Sequence, residues 1–97
     1  MKPAAFHPQA IAELDSAIAF YEKQVAGLGI DLRKEVQVAV EKIQAAPLRW
    51  SPYSKRTRRF LTRRFPYLVV YRELTGKILI IAVAHGSRRP GYWHDRL

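Results

Sequence analysis

The chain contains no cysteine in its 97 residues, which excludes disulfides and thiolate-bound zinc and fits a reducing cytosol. Long apolar runs are also missing. The longest, Ile78 to Ala84, has seven residues, too few for a helix to cross a bilayer. Only Lys2 precedes a mixed N-terminal sequence, so neither a signal peptide nor a membrane role is expected, and the location expected is cytoplasmic. There is no glycine-rich phosphate loop and no Ser/His/Asp signature. His7 and His94 have no metal-ligand spacing with each other or with an acid, so no metal or organic cofactor is expected.

Carboxylates are scarce in one half only. Met1 to Ala46 carries five Lys or Arg against six Asp or Glu, a net of −1. Pro47 to Leu97 carries twelve Lys or Arg against Glu73 and Asp95, a net of +10. The whole excess of +9 therefore sits in the C-terminal half. Such a density of arginine points to a polyanionic or acidic partner. With 48% hydrophobic residues the chain reads as one globular domain over 1–97, large enough for one modest core.

Lys2 to Phe6 reads as a short opening strand. Pro8 suits the first turn of a helix. Ile11, Leu14, Ile18, Tyr21 and Val25 then recur at helical spacing and fall within about 80° of one another, a single buried stripe. Gly27 and Gly29 break that helix. Leu32, Val36, Ala39, Val40 and Ile43 form a second stripe, and Pro47 stops it. So short a connection predicts a helical hairpin. Beyond it, Arg58 to Phe65 interleaves arginine with apolar residues, as in a strand exposed on one face. Tyr67 to Arg72 is rich in β-branched and aromatic residues. Leu74 to Lys77 is a tight turn with Gly76, and Ile78 to Ala84 is a strand buried on both faces. A final turn of helix is expected in the tail. The expected class is α+β: a helical hairpin packed on a mainly antiparallel sheet, order β-α-α-β-β-β, with arginines on the other face or at one end.

Three segments carry a family resemblance: Ile43-Gln44-Ala45-Ala46-Pro47 closing the hairpin, Arg63-Arg64-Phe65-Pro66-Tyr67 leading into the apolar strand to Arg72, and Ala84-His85-Gly86-Ser87-Arg88-Arg89-Pro90-Gly91-Tyr92-Trp93. In this order they resemble the RelE/ParE superfamily, the toxin halves of bacterial type II toxin–antitoxin pairs, also called plasmid stabilisation proteins. The resemblance spans nearly the whole chain. It implies growth inhibition relieved by a cognate antitoxin. The target is either mRNA on the ribosome, cut as RelE-like members do, or DNA gyrase, inhibited as ParE-like members do.

RNA cleavage without a metal needs a base for the 2′-OH, cations for the phosphorane and an acid for the leaving oxygen. His85 ends the buried strand and titrates near neutrality. Arg88 and Arg64 could hold the phosphate, and Tyr92 could act as acid or base. By resemblance these four form the catalytic set. Lys55, Arg56, Arg58, Arg59, Arg63 and Arg89 are candidates for nucleic-acid binding. Lys55 and Arg56 stand where a lysine pair would be needed. Trp93, like Tyr92, reads either as a base-stacking platform or as a residue docking the tail. The gyrase reading needs only a binding surface. A non-toxic nucleic-acid-binding module is a further alternative, which the charge supports but no recognition helix does. An antitoxin segment that folds on binding is expected to bring apolar anchors to the sheet edge or helix grooves, and acids to the arginines.

Overall fold

The structure is a computed structural model describing residues 1–97. A short strand β1 (Ala4–Phe6) leads into α1 (Pro8–Gln24) and α2 (Leu28–Ala45). Strands β2 (Ser51–Pro52), β3 (Arg58–Leu61), β4 (Tyr67–Leu74) and β5 (Lys77–His85) follow, and a 3-10 turn at His94–Arg96 ends the chain. The sheet order is β1-β5-β4-β3-β2. All neighbours are antiparallel except β1, which lies parallel to β5. The expected α+β class holds, with β2 as an additional strand that two residues, one of them proline, are too few to signal.

Each helix begins with a local device. His7 caps α1, its Nδ1 accepting from the Gln9 N–H at 3.1 Å, and Pro8 fills the first turn, where no N–H is needed. Gly27 turns the chain between the helices at φ +89°. The Glu22 carboxylate then accepts from the N–H groups of Gly27 (2.7 Å) and Gly29 (2.9 Å), which the start of α2 would otherwise leave unpaired. Gly29 does not break a helix but lies inside α2. A Cβ there would stand 2.4 Å from the Ile18 carbonyl oxygen, so glycine lets the helices approach.

The α2 stripe faces the core as expected, with Leu32, Val36, Ala39 and Ile43 buried and Val40 packed against them. In α1 the stripe is displaced. Ala10 and Ala17 are buried and Leu14, Ile18 and Tyr21 pack beside them, while Ile11 and Val25 are exposed. Ile11 falls on the stripe's outer margin, and Val25 lies past the last helical turn. Between Val70 and Tyr71 the β4–β5 register shifts, from Ala82 to Ile80. Ile81 is thus an extra residue, and the bulge turns Ile81 and Ala82 to the face opposite Ile80 and Val83.

That opposite face corrects the expectation of an arginine-covered sheet. Val70, Ile81, Ala82 and Trp93 form a second buried cluster there, with Tyr53, Leu68, Leu79 and Tyr92 around it. Strand β5 is apolar on both sides because helices cover one face and the C-terminal tail covers the other. The expected strand Arg58–Phe65 ends at Leu61. Thr62 Oγ1 donates to the Phe65 carbonyl and accepts from the Tyr67 N–H, which closes a turn and sends Phe65 back into the helical core.

Candidate functional site

Strand β1 pairs with β5 only as far as Ile80, which leaves the rest of the β5 edge open. Glu13 of α1 reaches this edge. Its carboxylate accepts from the Val83 N–H at 3.0 Å, from the Tyr92 hydroxyl at 2.7 Å and from both terminal nitrogens of Arg96 at 3.0 and 2.9 Å. Arg96 also donates to the Ile81 carbonyl at 3.1 Å. The Glu13 and Arg96 side chains are 17% and 9% exposed. One half-sealed ion pair therefore closes the sheet edge and fastens the tail to α1. Neither residue was a sequence candidate: Glu13 reads as a solvated helix position, and nothing local links it to Arg96, 83 residues away.

The predicted catalytic residues lie around this clasp but do not converge on one point. His85 is half-buried at the end of β5. Its Nδ1 accepts from the Ser87 N–H at 3.0 Å and shares a 2.7 Å hydrogen bond with the Ser87 hydroxyl. Its ring meets Tyr67 edge-on at 5.3 Å. Arg88 is exposed, with its guanidinium 3.9 Å above the Tyr92 ring. Tyr92 has its hydroxyl committed to Glu13. Burial first, and then that hydrogen bond, push its ionisation well above the ordinary tyrosine value. Arg64 turns away to α2, where it pairs with Asp31 at 2.9 Å, and its backbone N–H donates to Glu35. His85 and Arg88 share a groove of about 410 Å³ with Glu13, Ser16, Phe20 and Val83, while Arg64 and Tyr92 do not line it.

Trp93 corrects the stacking-platform reading. It is 1% exposed, packed 5.1 Å from the Tyr53 ring at the centre of the second cluster. A base cannot stack on a face already covered, so Trp93 docks the tail. The other basic candidates are spread over several sides. Lys55 and Arg56 form the tip of the β2–β3 turn and both have positive φ, 57° and 63°. Arg58 donates to the Trp50 carbonyl at 2.7 Å, which partly commits it to structure. Arg59 lies 4.6 Å over the Tyr53 ring. Arg63 and Arg89 are exposed. No three His, Cys, Asp or Glu side chains come together as a metal would require. No helix is long and apolar enough to cross a membrane.

A helical hairpin on a mainly antiparallel sheet, with a basic C-terminal half, defines the fold class of RelE/ParE-type toxins. Among solved structures the fold is similar to one described as a chromosomal ParDE TA system from P. aeruginosa, with a TM-score of 0.76. Identity is 16%, over 88% of this chain and 96% of that one, a likeness of fold. No curated protein matches by sequence. The model of the family described as "ParE toxin of type II toxin-antitoxin system, parDE" matches residues 4–90. The chain belongs to this family. It is the toxin component of a type II toxin–antitoxin pair, and a cognate antitoxin is its partner.

Proposed function

We propose that this chain arrests growth by binding DNA gyrase and that it does not cut RNA. The observation that carries this reading is the separation of the residues that cleavage would need. Arg64 is paired with Asp31 on α2 and Tyr92 with Glu13 on α1. Only His85 and Arg88 remain side by side at a groove. Cleavage of RNA by its own 2′-OH asks one group to take a proton, another to give one, and cations to hold the same phosphate. Tyr92 is a poor candidate for the first role, because its buried hydroxyl resists ionisation. Inhibition by binding makes no such demand. It needs a rigid surface, which the clasped tail and the covered sheet supply.

In this reading residues 1–97 act as one domain, in the cytoplasm where gyrase works, without metal or organic cofactor. The exposed basic side chains Arg63, Arg88 and Arg89 are free to meet an anionic surface, and the antitoxin masks the toxin by occupying part of it. The test is induction of the chain alone in a bacterial host, with transcript 5′ ends mapped within minutes. Growth should stop with transcripts intact, and the folded His85→Ala variant should remain toxic. New cuts inside translated codons that vanish in that variant would overturn the proposal.

A further inference from the structure

A second groove, of about 630 Å³, runs between α2 and β3 on the far side of the molecule from the clasp. Trp50 and Phe60, edge to face at 4.6 Å, line it together with Ala39. Val38 and Leu61 stand at its mouth, 47% and 64% exposed. Apolar side chains so exposed, grouped along one groove, mark a place where something docks.

The backbone gives the occupant's form. Strand β2 pairs only with Arg58 and Arg59, so β3 is an open edge from Phe60 onward. The Thr62 N–H bonds to the Tyr67 carbonyl on β4. By strand alternation the N–H and C=O of Leu61 then point outward, past the end of β2. A peptide continuing the line of β2 would find one donor and one acceptor waiting, with the apolar groove beneath its side chains.

The charges give the occupant's composition. Lys34 and Lys42 flank Val38 along α2, both exposed, and Arg63 lies at the end of β3. The one carboxylate in the lining, Glu35, is occupied by the N–H groups of Arg64 and Phe65. The rim is therefore cationic without a compensating acid.

We infer that the α2–β3 groove receives an extended acidic-apolar segment of the antitoxin, added as a strand to the open edge of β3. This rests on the toxin–antitoxin assignment but not on the choice of gyrase as target. Two measurements on the full chain test it, with the intact cognate antitoxin as the probe. Amide exchange at Leu61 should be fast in the free chain and at least about 100-fold slower in the complex. The Lys34→Glu, Lys42→Glu double variant changes only exposed helix positions and should keep its fold by circular dichroism. It should weaken antitoxin binding at least about tenfold at low salt, an effect that shrinks as salt screens the charges. An unprotected Leu61 amide in the complex would overturn the strand mode, as it would if a helix filled the groove instead. An affinity within twofold of wild type in the double variant would overturn the charge argument and with it the groove. Failure of the wild-type chain to bind its antitoxin at all would overturn the toxin–antitoxin assignment as well.

Discussion

Replacing Glu13 by alanine is expected to destabilise the fold by about 3–5 kcal/mol, the usual consequence of removing one partner from a buried ion pair. The size follows from what is left behind. Arg96, with 9% of its side chain exposed, would keep its charge without its counterion. The Val83 N–H and the Tyr92 hydroxyl would lose their acceptor, each at about 1–3 kcal/mol if no water replaces it. Partial entry of water at the open β5 edge should keep the total below the simple sum. A domain of this size has only about 5–15 kcal/mol in all, so the midpoint of urea unfolding should fall by a third or more. Removing both charges with Glu13→Gln and Arg96→Met should recover part of the loss, because no unpaired ion remains. Urea titration of the four proteins completes the cycle. The coupling between the two positions should exceed about 2 kcal/mol. A Glu13→Ala loss under 1 kcal/mol, or independent effects at the two positions, would show that the clasp is a solvated surface pair of little weight.

Two further outcomes follow from the packing. Tyr71 is fully buried and donates to the Pro47 carbonyl, and burial, as the main cause, pushes its ionisation up to about 12 from 10.0. Its contribution is complete below pH 10 and is lost as pH rises toward 12, by up to about 2–3 kcal/mol. The Tyr71→Phe variant should therefore show a shallower loss of urea stability over that interval, and an identical loss would refute the assignment. Gly29→Ala would put a Cβ 2.4 Å from the Ile18 carbonyl, so the helices must part. We expect a loss of about 1–3 kcal/mol by urea unfolding, the range for overpacking, against the gain alanine gives in an open helix.

Periodicity made much of the fold legible. The α2 stripe, the turn at Gly76 and the doubly buried β5 all follow from patterns within one segment. The errors arose where burial depends on a partner distant in sequence. Trp93 reads as an exposed aromatic only until the Ile81 bulge turns a second apolar face toward the tail. Gly29 reads as a helix breaker because the close passage of Ile18 is invisible in its own segment. The Glu13–Arg96 pair spans 83 residues and leaves no local trace. The candidate site suffered in the same way. The sequence located His85 and Arg88 at a strand end, but Arg64 and Tyr92 had already been claimed by Asp31 and Glu13. Residue type alone cannot show that a side chain is already engaged.

The most direct test of function is a supercoiling assay with purified gyrase, relaxed plasmid and this chain, repeated with the antitoxin added. Loss of supercoiling that the antitoxin restores, unchanged by His85→Ala, is the result predicted here. Full supercoiling at toxin concentrations well above that of gyrase, in a preparation that still arrests growth, would contradict it.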